Sequence, residues 1–208
     1  MSQKIDHRKQ KEYSRKGSRT RNVKQTFLII TEGVNTEPDY FNTFRLTSAT
    51  IKTLGQGKST TTLVKKAINI KANLKKLGRT FDQYWIAFDK DDNSDKDFND
   101  AIKLAQKSGF HVAYSNQAFE YWFVLHYKQY EGRYSRARLC SMLSKLIGFE
   151  YSKKSGATSY LFDILYPKQQ RAIENAKNVQ KKISLGNPAR EESSTTVYEL
   201  VEELNRFL

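Results

Sequence analysis

The chain has 208 residues, 38% of them hydrophobic and 12% aromatic, enough for one domain with a sizeable core and too aromatic for a wholly disordered chain. Lys and Arg number 36 against 22 Asp and Glu, and the resulting charge of +14 favours a polyanionic partner, either nucleic acid or an acidic membrane face. No apolar run approaches the ~20 residues of a membrane-spanning helix, no secretory signal is expected, and Cys140, the single cysteine, excludes an internal disulfide framework and multi-cysteine zinc sites.

Residues 1–26 carry nine basic side chains, Arg19, Arg21 and Lys24 among them, against Asp6 and Glu12, a surplus of +7 with only Ile5 and Val23 as aliphatic residues. Such a stretch buries too little surface to offset its ordering entropy and reads as a flexible basic arm, either a phosphate-backbone contact or a solubilising tail. From residue 27 short apolar runs alternate with helical periods. Phe27–Ile30 reads as a buried strand ending at Thr31-Glu32-Gly33. Thr36-Glu37-Pro38-Asp39 then reads as a helix start, with Thr36 as cap and the acids at the positive end of the dipole. Ile51–Leu54 is a second strand. Ser59–Leu77 is the clearest helix, with Leu63, Ala67, Ile70, Leu74 and Leu77 on one face and Gly78 as its stop.

Tyr84–Phe88 is a third strand, broken off at Asp89-Lys90-Asp91-Asp92, and Phe98, Ala101, Ile102 and Ala105 mark the helix after it. His111–Tyr114 is a fourth strand, and Phe119–Tyr127 an aromatic, largely buried helix. This alternation predicts an α/β fold over residues 27–130, a mostly parallel, Rossmann-like sheet with helices on both faces. Residues 131–208 predict a helical C-terminal flank or lid, with helices at Ser135–Ile147, Lys168–Ile183 and Thr195–Leu208.

Ligands of open parallel sheets bind outside the carboxyl ends of the strands. Glu32 ends the first strand, Asp89, Asp91 and Asp92 end the third, and Glu120 follows the fourth. Carboxylates gathered at one edge repel and raise one another's pKa. A hard divalent cation, Mg²⁺ or Mn²⁺, relieves that conflict with carboxylate, water and phosphate oxygens. The plainer use of such residues is helix capping, for which Ser94 or Asp95 would serve.

The block Thr31-Glu32-Gly33 with Asp89-Lys90-Asp91 resembles the TOPRIM pattern of topoisomerases, primases and OLD-type nucleases. More closely, Thr31–Phe41, Phe88–Asp92, Ser115-Asn116 with Phe119–Trp122 and Leu125-His126, and Ser194–Val197 together resemble the RloB (AbiLii-like) family from about residue 25 onward. The resemblance implies a TOPRIM-like domain in which Glu32 is a general acid/base or metal ligand, Asp89 and Asp91 are a metal-binding pair, and Glu120 completes the site. It also implies a part in phage defence and abortive infection, beside a partner ATPase. Lys90 stands where the pattern has Arg, and Ala189–Ser193 has the look of an insertion.

The expected activity is metal-dependent phosphodiester hydrolysis of DNA or RNA, tRNA included, with Lys58, Lys90, His126 and the arm residues as phosphate or substrate contacts. Two other readings stand beside it: a non-catalytic module that binds nucleic acid or docks the ATPase, and a receiver-type phosphoacceptor. Leu54–Thr60 imitates a P-loop but has Lys52 where the first glycine is required, so a glycine-rich turn capped by Ser59 is preferred. His126 on its aromatic helix reads either as packing or as a ligand, and Phe119, Tyr121, Trp122, Phe123 and Tyr127 either as core or as base-stacking surfaces.

Overall fold

The computed structural model describes residues 25–54, 59–153, 157–183, 186–191 and 193–208. Four strands, β1 (Phe27–Thr31), β2 (Ala49–Thr53), β3 (Gln83–Asp89) and β4 (His111–Asn116), are joined by α1 (Thr36–Asn42), α2 (Thr60–Lys76) and α3 (Asp95–Lys107). The sheet order is β2-β1-β3-β4-β5, with β5 the two residues Ser194–Thr195, and it is parallel except at this last strand. β1 is buried along its whole length, so it reads as an unbroken apolar run rather than as an alternation. Its side chains still alternate between two cores. Phe27 and Ile29 join Trp85, Ala87 and Ala113 on one face, whereas Leu28 and Ile30 join Ile86, Phe88, Val112 and Tyr114 on the other.

The second face is covered by α2 and α3, through Leu63, Val64 and Ala67 and through Phe98, Ala101, Ile102 and Ala105. Ser59 and Ser94 cap these helices, their side chains accepting from the N–H groups of Thr62 and Asp97. The first face is covered by α1 and by the five helices after β4, whereas Ala189 joins the second face beside α3. The five are α4 (Glu120–Leu125), α5 (Arg136–Ile147), α6 (Ala157–Leu165), α7 (Gln169–Lys182) and α8 (Val197–Asn205), each of which contributes buried residues to one cluster with Tyr40, Phe41 and Trp85. With α1 on one face and α2 on the other, the chain leaves β1 in one direction to β2 and returns past it to β3. The order therefore reverses between β1 and β3, where open α/β sheets hold their ligands.

The mostly parallel, Rossmann-like α/β sheet expected from the alternation is present, with three differences in detail. Asn35, not Thr36, stands at the N-cap of α1, and Thr36 is its first helical residue. Leu77 lies beyond α2 and is 74% exposed, because the apolar period runs one step past the last turn that faces the sheet. Thr195 does not open a helix. Ser194–Thr195 form β5, antiparallel to β4. There the Thr196 N–H donates to the Tyr114 carbonyl at 2.9 Å, and the Tyr114 N–H to Thr196 Oγ1 at 2.9 Å. Hydroxyl side chains thus saturate a sheet edge that would otherwise present bare donors and acceptors. Among the described residues no helix is long and apolar enough to cross a membrane.

Candidate carboxylate site at the β1/β3 edge

Glu32 is the first residue past β1, and its N–H donates to the Ala87 carbonyl of β3 at 3.0 Å. The parallel register sets Thr31 opposite Ala87, which brings the two strand ends level. The Asp89 N–H in turn donates to Glu32 Oε2 at 3.3 Å, so Glu32 and Asp89 face the same space. Asp89 is buried, and its Oδ2 accepts the Phe119 N–H at 3.0 Å from the segment leading into α4. Asp91 turns back toward the same space through a left-handed backbone, φ 45°, a conformation that Asp tolerates better than most residues. Its N–H donates to the Gln117 carbonyl at 3.0 Å, and its carboxylate forms an ion pair with Arg136, the first residue of α5.

These three carboxylates line one cavity of about 170 Å³ together with Glu37, Phe119, Arg136 and Lys153. Glu37 is a member that the sequence reading placed only at a helix start. It is buried on the first turn of α1, and Gly33 is what admits it, because a Cβ at residue 33 would overlap the Glu37 carboxylate. Gly33→Ala is therefore expected to push the carboxylate end of the flexible Glu37 side chain aside at a cost of at most about 1 kcal/mol, the low end of overpacking, read as a slightly lower melting temperature. An unchanged melting temperature would show that Glu37 moves aside freely.

Glu120 is fully buried behind this cavity. Its Oε1 accepts from the Tyr151 hydroxyl at 2.9 Å and pairs with the Lys153 ammonium at 2.8 Å, while Oε2 has no hydrogen-bond partner among the described residues. The fold thus brings Lys153, from beyond α5, to the acidic edge. Burial works against the Lys153 ammonium, yet the Glu120 carboxylate lifts its pKa overall.

The acids show the strain of their grouping. Burial raises Glu32, against the hydrogen bond from the Asp89 N–H. Burial, with the negative charges of Glu120 and Glu32 beside it, pushes Glu37 up to about 7. Asp89 is raised well above the usual carboxylate range by burial and then by Glu37, Asp91 and Glu120, with the Phe119 N–H opposing. Among the described residues no three carboxylate, imidazole or thiol groups converge on one point so as to hold an ion as they stand. The donor set nevertheless suits a hard cation: oxygen ligands only, mutually repelling, with one buried carboxylate oxygen left unpartnered.

The remaining expected site residues lie elsewhere. Asp92 is exposed, on a neighbouring groove with Arg133 and Tyr134. Lys90 points away from the cavity, its Nζ donating to the Asn93 carbonyl at 3.1 Å and pairing with Asp95 at 3.2 Å. His126 is fully buried, donating from Nδ1 to the Trp122 carbonyl at 3.0 Å, and burial lowers its pKa to about 4, so it stays neutral in the core. Tyr121, Trp122 and Phe123 are core residues, leaving them no face for a base, and Phe119 is buried with them where it meets the cavity wall. Lys58, Arg19, Arg21 and Lys24 lie outside the described residues.

No curated protein and no solved structure matches the chain. A protein-family model does, over nearly the whole of the described sheet and its helices, and it supports a defence-related role. Residues 27–204 match the model described as RloB-like protein, and the chain belongs to the RloB-like family.

Proposed function

We propose that the chain is a metal-dependent nuclease of a phage-defence system, with a TOPRIM-like site built on Glu32, Asp89 and Asp91. The observation that carries this reading is the juxtaposition of Glu32 and Asp89 at the strand-order reversal, joined through the Asp89 N–H and lining one cavity with Asp91 and Glu37. A Mg²⁺ or Mn²⁺ ion held by Glu32, Asp89 and Asp91 would polarise a phosphoryl oxygen, lower the pKa of water and neutralise the leaving oxygen.

The chain's own groups do the rest. The Phe119 N–H fixes the orientation of Asp89, and the Asp89 N–H that of Glu32. Glu37, with a pKa of about 7, holds a proton over the lower half of the neutral range and releases it above, the behaviour required of a group that moves protons at neutral pH. Arg136 and Lys153 set two positive charges at the cavity wall, each resting on a carboxylate until a phosphodiester competes for it. The cavity is smaller than the ~300–1,000 Å³ of a typical small-molecule pocket, which favours one phosphate of a polymer over a whole metabolite.

The Arg136–Asp91 pair is the observation that favours a second reading, a module that binds nucleic acid or docks an ATPase without turnover, because it occupies one of the three acids. Titration with Mn²⁺, read by electron paramagnetic resonance, together with cleavage of labelled DNA and RNA, separates the two. The nuclease reading expects saturable Mn²⁺ binding and metal-dependent cleavage, both lost in Glu32→Gln with an unchanged circular dichroism spectrum. Cleavage by Glu32→Gln at the parent rate, or no saturable Mn²⁺ binding by the parent, would overturn it.

A further inference from the structure

We infer that the segment Arg133–Arg138, at the start of α5, is the seat of the nucleic-acid strand outside the carboxylate cavity, its arginines holding successive phosphates. The carboxylate cavity admits little more than a phosphate, so the rest of a polymer must lie against the neighbouring surface. That surface is a groove sharing Asp91 and Arg136 with the cavity and lined further by Arg133, Tyr134 and Arg138. It continues through Arg133 and Gln117 to Arg190. One path therefore runs from the buried acids along a row of guanidinium groups.

Two features single out this row. Arg136 and Arg138 occupy the first turn of a twelve-residue helix with no acidic residue in that turn. Cations there oppose the helix dipole, and Asp91 offsets only one of them, at Arg136, so the row keeps positive charge to offer an incoming phosphate. Tyr134 is half-buried, with the Arg138 guanidinium 5.5 Å from its ring centre. A fixed aromatic ring beside phosphate-binding arginines is the pairing that holds single strands by stacking as well as by charge. Asp91 and Asp92 line the groove as well, and Asp91 is shared with the cavity of the proposed ion.

This seat deepens the nuclease reading, but its test does not depend on cleavage. Fluorescence anisotropy with fluorescein-labelled oligo(dT) and oligo(U) in EDTA, across a KCl titration, measures the strand alone. The double variant Arg133→Gln/Arg138→Gln is expected to flatten the slope of log affinity against log salt by roughly 1.4, two contacts at ~0.7 each for a single strand. Tyr134→Ala is expected to weaken binding about tenfold. Lys65→Gln/Lys66→Gln, exposed on α2 across the sheet, matches the charge change and is expected to leave the slope unaltered.

Equal slopes for both double variants, or an unaltered slope in the arginine variant, would overturn the seat. An equal loss with a duplex probe would overturn its assignment to a single strand. The oligo(dT) and oligo(U) arms distinguish DNA from RNA as the source of the phosphates. Strand binding through these arginines without Mn²⁺ binding would leave the seat standing and the nuclease reading refuted.

Discussion

Asp89→Asn is expected to abolish metal-dependent cleavage and, in metal-free buffer at mildly alkaline pH, to raise the melting temperature. The two effects have one cause. Asp89 is 9% exposed and faces the charges of Glu37, Asp91 and Glu120, so its ionised form is held at a cost in the absence of a cation. Asparagine keeps the shape and the oxygen that accepts the Phe119 N–H, and removes only the charge. A gain of about 1–2 kcal/mol is of the order found when functionally strained residues are neutralised, or roughly 2–8 °C for a chain of this size. Cleavage should fall by more than the ~10–100-fold that loss of an outer-sphere partner costs. A carboxylate kept for structure alone behaves in the opposite way, lowering stability when it is neutralised. Differential scanning fluorimetry in EDTA, beside a cleavage assay, distinguishes them: a lower melting temperature with cleavage intact would remove Asp89 from the site.

What the sequence made legible was whatever repeats along the chain. Buried runs ending in acids gave the strands, their order of appearance and the strand-end carboxylates, because a parallel sheet buried on both faces writes itself as short apolar words. What it hid was whatever depends on which element lies beside which. Glu37 obeyed the rule for an acid at a helix start, and the same residue satisfies both that rule and the cavity. Only the missing Cβ of Gly33 hints that something must pass there. Arg136 and Lys153 come from a segment read as a flank, more than forty residues beyond the last acid of β3. Thr195 and Thr196 read as part of a family signature, and their hydroxyls proved to finish a sheet edge. Conversely, Lys90 sits between two site acids in sequence yet points away, because the strand ends at Asp89 and the left-handed turn at Asp91 returns only that acid to the cavity, leaving Lys90 paired with Asp95.

The stability of the metal-free protein should fall as pH rises through neutrality, and Glu37 is the residue on which that fall depends most clearly. Its folded pKa of about 7 lies above its ordinary 4.5, so the folded state holds this proton more tightly than the unfolded chain does. The resulting stabilisation is complete below about pH 4.5, declines as pH rises through about 7, and is absent above it, a change of about 3 kcal/mol. Asp89 and Glu32, both raised, act in the same direction. Thermal melts in EDTA are expected to lose roughly 6–12 °C across that window, and Glu37→Gln to flatten the curve, since glutamine carries no proton to lose. Saturating Mg²⁺ or Mn²⁺ should restore the alkaline limb, because an ion bound only by the folded state stabilises it by mass action. A flat melting curve in the parent would mean that the acids are hydrated in solution, and restoration by Mg²⁺ undiminished in Asp89→Asn would place the ion elsewhere. The same repulsion that destabilises the protein in EDTA is what would make the cavity bind a cation, so metal affinity and alkaline instability should be lost together, variant by variant.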